Sequence, residues 1–429
     1  MKFGHSFKEA LEGTSYPKHW VEKAIPYRQL KKVLSMVREE LIQKGYDPNT
    51  LQKLLTDHDA EYSLLVGESH LLRPRLVVRP ELSAVSSLSP ELSVTLRTAL
   101  AESTPPTHDS ITESAPEDNQ VPSQEHSGWV KIPLNADSRF FNMLQTEVSE
   151  LDTLQSQERK AMNSGIHILG SEISEVAKPR KGLLHLSKSD LYRWREIFEL
   201  YLAAQVFFST VEVAGGSRTS EKAQQQLVWF QEEVGKRQLL RKFKLEASAV
   251  AYARFLDLNA MLLQNLQFQE LNQMAVTKII KKFDKQTSLG VKTVFPKVMH
   301  SANFIAESIA KNICAQMSQD VLNLVPQIVD YTCTICLSIC WLPIRLDCTH
   351  MFCIRCMIKM QNRNKRLCPL CRASTVYKAT EAHIDIELMH FLEQWFPKET
   401  KEKQSSNEID RRKELLGEAA NTDPACCVM

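Results

Sequence analysis

The chain has 429 residues, 43% hydrophobic and 24% charged, ordinary values for a soluble globular protein with room for more than one domain. A formal net charge of +2 excludes a polycation that grips nucleic acid through its overall charge, so any basic site must be local. Of the 11 cysteines, eight fall between Cys333 and Cys371, which excludes a disulfide scaffold scattered along a secreted chain.

The opening MKFGHSFKEALEG has no apolar run of signal-peptide length, and no stretch of about 18 uninterrupted apolar residues follows. The best membrane candidate, residues 200–216, is broken by Gln205, Ser209, Thr210 and Glu212. A reducing, cytoplasmic location is the expectation. Up to about residue 72 the spacing is helical. AIPYRQLKKVLSMVREELIQKG places Ile25, Leu30, Leu34, Val37 and Leu41 on one face and ends at Gly45. From 80 to 128 the chain is rich in Ser, Thr, Pro and Glu, with eight acidic residues against Arg97. Such a stretch buries too little apolar surface to offset its ordering entropy and is expected to be a disordered insert.

Order resumes near Trp129, where FFNMLQTEVSELDTLQSQ reads as a helix. After a break at KPRKG, LYRWREIFELYLAAQVFF reads as another. No proline or glycine interrupts residues 238–285, which predicts one very long helix with Leu240, Phe243, Ala247, Val250, Leu258, Leu262 and Leu271 near one face. The class is mainly α, with a bundle of long helices over residues 1–312. A compact cysteine module is expected over 328–376 and an amphipathic helix over 380–397, stopped by Pro397. The apolar face of that helix (Ile384, Leu388, Phe391, Trp395) is expected to pack on the module, and residues 398–429 read as a disordered tail.

The module reads CTICLSICWLPIRLDCTHMFCIRCMIKMQNRNKRLCPLC, a pattern of C-x2-C-x11-C-x-H-x2-C-x2-C-x11-C-x2-C. A CxxC turn presents two thiolates to one tetrahedral zinc ion, so eight ligands in four pairs predict two structural Zn2+ ions. Cys340 lies inside the first long loop, breaks no pair and is left out as a ligand. This spacing closely resembles the RING finger. The resemblance implies a cross-braced ββα module in which Cys333, Cys336, Cys353 and Cys356 hold one ion and Cys348, His350, Cys368 and Cys371 the other. It further implies a ubiquitin ligase that docks a ubiquitin-conjugating enzyme and its thioester-linked ubiquitin, contributing no nucleophile of its own. In that family the docking groove is apolar; Ile335, Pro369 and Leu370 match it, and Arg372 matches the linchpin that bridges ubiquitin and the conjugating enzyme. Two positions depart from the common pattern: Met360 stands where many relatives carry Trp, and Thr349 replaces the usual glycine before the histidine. A module serving only as a scaffold is the alternative. Nucleic-acid binding through Arg345, Arg355, Lys359, Arg363, Lys365 and Arg366 is not expected, because no aromatics are interleaved with them.

In KIIKKFDK, Lys278, Lys281, Lys282 and Lys285 share a helical face, and Tyr27 and Lys31 lie one turn apart. By composition alone this is a solvated basic face. However, MKFGHSF, AIPYRQLKK and KIIKKFDK, in this order, resemble the SPX domain over residues 1 to about 75 and about 135 to 310. The resemblance implies binding of inositol polyphosphates and pyrophosphates, with Tyr27, Lys31 and Lys282 as a phosphate clamp and Lys278, Lys281 and Lys285 as a surrounding basic surface. SPX followed by RING is the layout of the plant nitrogen-limitation-adaptation ligases and their fungal counterparts, which implies phosphate homeostasis and a phosphate transporter as protein substrate. Finally, CCVM fits a C-a-a-X ending with Cys426 as lipid acceptor and hence membrane association; it fits a chance ending equally well.

Overall fold

The structure is a computed structural model that describes residues 3–14, 16–66, 72–79, 129–179, 189–208, 218–293, 295 and 309–416. The expected insert at 80–128 and the acceptor Cys426 lie outside these residues. The described chain is mainly helical, as the periodicity predicts, and falls into two compact units. One comprises residues 1–164, 216–223 and 259–314; the other comprises 165–215, 224–258 and 315–429. Two long helices, Asn135–Ala177 (α5) and Glu246–Thr287 (α8), contribute one end to each unit. No helix among the described residues is long and apolar enough to cross a membrane.

The first unit begins with α1 (Phe3–Gly13), α2 (Lys18–Glu22), α3 (Tyr27–Gln43) and α4 (Pro48–Thr56). In α3, Leu30, Leu34, Val37 and Leu41 are buried on one stripe, with Ile25 just ahead of the helix. The helix ends before Gly45, whose φ of 83° glycine adopts without steric cost. Asp47 caps α4 by accepting the N–H groups of Asn49 (3.1 Å) and Thr50 (3.4 Å). Glu40 does the same for α5 from a distance, accepting from Asn135 (2.9 Å) and Ala136 (2.7 Å).

The helical reading up to residue 72 is corrected here. Ala60–Val66 (β1), Leu72–Val78 (β2) and Val130–Ile132 (β3) form an antiparallel sheet in the order β1-β2-β3. Tyr62, Leu76 and Ile132 are paired and turn inward, whereas Glu61 and Lys131 alternate outward, the two-residue period of a half-buried strand. Pro74 lies beyond the three residues of β2 that β3 pairs, where a missing N–H breaks no ladder on that side.

Behind the sheet Asp137 is buried, accepting from the Tyr62 hydroxyl at 3.3 Å. Burial pushes its carboxyl up to about 7 from an ordinary 3.8. The folded chain therefore keeps this proton at pH values where the unfolded chain has released it. The resulting stabilisation is complete below the unfolded value and is lost as pH rises through about 7. Asp137→Asn is expected to flatten the fall in stability between about pH 4 and about pH 7 and to raise the melting temperature at about pH 8 relative to the unsubstituted chain. Thermal melts followed by circular dichroism across that range check it.

In the second unit, α6 (Leu191–Ala204), α7 (Ser220–Lys236) and the N-terminal part of α8 bury an aromatic cluster. Tyr201 meets Phe255 edge-on at 5.0 Å, and Trp194 and Phe198 lie 5.4 Å apart. The predicted helix over 238–285 starts late. Gln238 takes a left-handed φ of 51°, a short 3-10 turn covers Leu240–Lys242, and α8 begins at Glu246. Asp190, from just before α6, fixes that start by accepting from the N–H groups of Lys244 (2.9 Å) and Leu245 (3.0 Å) and the hydroxyl of Ser248 (2.7 Å). With the phase set there, Leu240 and Val250 are exposed, and Ala251, Phe255, Leu258 and Leu262 form the buried stripe.

After α9 (Ile309–Asp320) comes the cysteine module, with β4 (Pro343–Arg345), β5 (Met351–Cys353) and α10 (Ile354–Asn362). Then follow α11 (Ile386–Trp395) and α12 (Pro397–Leu416). The expected disordered tail is thus helical from 397 to 416: Pro397 ends α11 but opens α12, where its missing N–H would have had no partner. Leu388, Phe391 and Trp395 of α11 pack on a cluster with Ile328, Tyr331 and Ile339 at the module's edge, as the amphipathic pattern predicts.

Arg195 of α6 joins these segments. It is 6% exposed, lies 4.1 Å over the Phe396 ring, and donates to the carbonyls of Pro326 and Trp395, each at 2.9 Å. The chain entering the cysteine module and the chain leaving it are thereby tied to one buried guanidinium.

Candidate functional site

The module is built from two near-identical turns. In the first, the N–H of Leu337 donates to the Cys333 carbonyl (2.8 Å) and that of Cys333 to the Ser338 carbonyl (2.8 Å). In the second, Arg372 donates to Cys368 (2.9 Å) and Cys368 to Ala373 (2.8 Å). Each turn closes by placing the residue after its second cysteine in the left-handed region, Leu337 at φ 53° and Arg372 at φ 61°. Between them, β4 and β5 pair antiparallel, with Ile344 opposite Phe352, and α10 starts at once from Cys353. The arrangement is the ββα fold that the resemblance to the RING finger implies. Thr349, where the common pattern has glycine, has φ 68°, so the backbone there takes the conformation that makes glycine usual.

The eight predicted ligands gather in two interleaved groups, Cys333, Cys336, Cys353 and Cys356, and Cys348, His350, Cys368 and Cys371. Within each group all ligand atoms lie within 4.8 Å of one another. Zn–S bonds of about 2.3 Å put two sulfurs on one tetrahedral ion about 3.8 Å apart. Sγ of Cys336, in the first turn, and Sγ of Cys353, at the end of β5, are 3.7 Å apart. Nδ1 of His350 is buried with no hydrogen-bond partner, as befits an atom whose lone pair belongs to a metal. These residues fit two zinc ions. The chemistry such ions supply is structural: each pins two distant chain segments.

Around the ligands, a small core of Ile344, Leu346, Phe352, Met357 and Val376 is buried. Gln361 on α10 donates to the carbonyls of Val376 (2.9 Å) and Ala379 (2.8 Å), closing the C-terminal segment over it. Asp385 is held below the usual carboxylate range by the Leu388 N–H it accepts and by Arg345, 2.7 Å away. It thereby caps α11 and clamps it to β4.

On the outside, Ile335 is 39% and Leu370 52% exposed, and Pro369 and Arg372 are also exposed. Met360 is half-buried on α10. The four residues assigned to a docking groove therefore sit on the two turns with their side chains accessible. Sequence reasoning missed Leu337, 80% exposed at the position in the first turn that Arg372 occupies in the second; the matching turn spacing was the available signal. It also missed α12, whose Asp410 and Glu414 meet Arg355 of α10 at 3.7 and 2.7 Å.

In the first unit, Tyr27 opens α3 with its ring buried against Phe3 (centroids 5.0 Å apart) and Phe7 (6.4 Å). A Cβ on Gly4 would come within 3.3 Å of that ring, so the glycine of MKFGHSF lets α1 approach. Burial pushes the Tyr27 phenol up, which keeps it a hydrogen-bond donor. Lys31, one turn on, is exposed. At the end of α8, Ile279, Ile280 and Phe283 enter the same core as Tyr27, while Lys278, Lys281 and Lys285 are exposed and Lys282 is half-buried. Tyr27 and the lysine-bearing turns thus belong to one packed body.

Residues 1–299 match the family described as SPX domain, and residues 333–371 match the zinc finger, C3HC4 type (RING finger). The chain is 34% identical to an uncharacterized RING finger protein of Schizosaccharomyces pombe, over 96% of each chain. It is 32% identical, over 100% of each chain, to the transcriptional regulator of yeast form adherence 3 of Candida albicans. Over 29% of its length it is 29% identical to a probable E3 ubiquitin-protein ligase BAH1-like of Arabidopsis thaliana, 50% of which is covered. No solved structure matches.

Proposed function

We infer the function from one premise: this chain belongs to the family of SPX-domain proteins with a C-terminal C3HC4 RING finger. It is a RING-type ubiquitin ligase. The observation that carries this reading is the accessible set of Ile335, Pro369, Leu370 and Arg372 on two zinc turns. The apolar three form a docking site for a ubiquitin-conjugating enzyme. Arg372, swung outward by its left-handed backbone, offers a multi-donor fork to the enzyme and its ubiquitin together. Acceleration comes from holding the thioester in a reactive pose, with no covalent intermediate on this chain.

Purified components test it. Ile335→Ala and Arg372→Ala are each expected to cut ubiquitin transfer by about tenfold or more while zinc content stays unchanged. Undiminished transfer by both variants would remove the docking surface. The second reading, a RING that only scaffolds, is favoured by Met360, a flexible side chain where a rigid aromatic would better shape the groove. Absence of product from the unsubstituted chain with every conjugating enzyme tried would select it.

The SPX domain senses inositol polyphosphates or pyrophosphates through Tyr27, Lys31 and Lys282, with Lys278, Lys281 and Lys285 as a wider basic surface. Ammonium groups and a protonated phenol suit a dense polyanion. Combined substitution Tyr27→Phe, Lys31→Ala and Lys282→Ala is expected to weaken inositol hexakisphosphate binding about tenfold or more, measured by calorimetry at fixed salt. Unchanged affinity would remove the sensor and leave the ligase standing. Phosphate homeostasis, and a phosphate transporter as the protein ubiquitinated, follow from family resemblance alone. The reduced thiolates required by the module suit a reducing compartment, and the cytoplasm is the location proposed.

A further inference from the structure

The stripe that α8 turns toward the core of the first unit is apolar but for its asparagines. Phe268, Ala275, Ile279 and Phe283 are buried there at helical spacing, and so is Asn272 between them. Nδ2 of Asn272 donates to the Phe268 carbonyl one turn earlier at 2.8 Å, which fixes the amide plane. Oδ1 then accepts the buried N–H of Ile25 at 2.9 Å, from a residue 247 positions away along the chain. The Ile25 carbonyl in turn accepts from the N–H of Tyr27 at 2.7 Å. A hydrogen-bonded path therefore runs from α8 to the residue that opens α3.

This bond does more than satisfy a buried N–H. α3 starts from Pro26 with no side-chain cap of its own, so the segment ahead of it is held from α8 instead. Apolar contacts alone tolerate sliding of one helix along another, whereas a buried amide bonded to a backbone N–H is satisfied in a single register. Along α8, Lys278 follows Asn272 by about 9 Å and Lys282 by about 15 Å of helix rise, while α3 carries Tyr27 and Lys31. A slip of one residue between the two helices would displace the lysines by about 1.5 Å and turn them by about 100° relative to Tyr27.

We propose that Asn272 is a positioning residue of the polyphosphate clamp: by holding the Ile25 N–H it sets where Tyr27 and Lys31 stand along α8, so that they and Lys282 reach one ligand together. It touches no ligand itself and acts through Ile25 and α3. The inference rests on the reading of the SPX domain as an inositol polyphosphate sensor and is independent of ubiquitin transfer. Without the bond the lysines of α8 still attract a polyanion, but Lys31 no longer shares it with them.

Calorimetry of the full chain with inositol hexakisphosphate at fixed salt tests it. Asn272→Leu, which matches asparagine in branching, is expected to weaken binding about tenfold through lost preorganisation. In that background Lys31→Ala is expected to cost little more, whereas Lys281→Ala costs as much as it does in the unsubstituted chain. A general loosening of the fold would not separate the two lysines. Leu151→Ala, a truncation in the same core on α5, is expected to lower the melting temperature and leave the affinity unchanged. Asn272→Ser, which leaves room for a water on the Ile25 N–H, is the second variant should Asn272→Leu fail to fold, with the same expectations. Unchanged affinity in the Asn272 variant would overturn the positioning role alone. So would an equal loss in Leu151→Ala, or lysine substitutions that both cost the same with and without Asn272. No binding by the unsubstituted chain would overturn the sensor and the positioning role together.

Discussion

Replacing His350 with alanine is expected to reduce the purified chain from two zinc ions to one at most and to unfold residues 333–371 while leaving most of the helical signal intact. The second ligand group has only four members, and Nδ1 of His350 has no other partner. The module's own core is a handful of side chains around Phe352, too few to offset the ordering entropy of so short a segment. Structural zinc supplies about 10–16 kcal/mol in small domains, so losing one ion exceeds any stability the module could hold in reserve. Because Cys348 and His350 lie between the ligands of the other ion in sequence, collapse of one site loosens the chain that forms both. The helices of the second unit keep their aromatic cluster around Phe198 and Phe255. Metal analysis, near- and far-ultraviolet circular dichroism and ubiquitin transfer check the three parts separately: one ion at most, little loss of helix, and transfer at background.

Arg195→Ala is expected to cost about 3–5 kcal/mol of stability, the range seen when one member of a buried charged network is removed. The guanidinium satisfies two carbonyls, lies on Phe396 and faces Glu399 at 3.8 Å. Without it both carbonyls and the carboxylate lose a buried partner. Lysine restores the charge but cannot reach Pro326 and Trp395 with one planar fork, so Arg195→Lys should recover only part of the loss. Urea denaturation gives the magnitude. Limited proteolysis gives the location: faster cleavage is expected near 326 and 395, with zinc content unchanged.

What could be read in advance follows from how local each cause is. The ligand pairs were legible because a CxxC turn is a covalent spacing, and α3 because its apolar stripe repeats within seventeen residues. The sheet was not, since β2 finds β3 only across the long segment that begins at 80, and the alternation of Tyr62 and Leu64 is too brief to outweigh the helical signal before it. The start of α8 is dictated by Asp190, more than fifty residues upstream, and nothing within 238–246 announces it. In α12 the inward positions Lys403, Asn407 and Asp410 are polar, so a search for an apolar stripe passes over it. Among the proposed site residues, position along the sequence gave the chemistry of Arg372, but its outward aim depends on a backbone angle that only the folded turn displays.

That polar seam gives α12 an unusual standing. It leans on α10 through Arg355, Asp410 and Glu414, with Lys359 reaching the same glutamate at 3.4 Å, and the acids at this seam are about half open to water. Contacts of this kind contribute about 0–1 kcal/mol apiece and fade as electrolyte is added. The end of the helix near Asp410 and Glu414 is therefore the part of its unit expected to fray first, exchanging its amide hydrogens while the zinc turns remain protected. Added electrolyte is therefore expected to loosen this end from the flank of α10 while the zinc turns stay as they are.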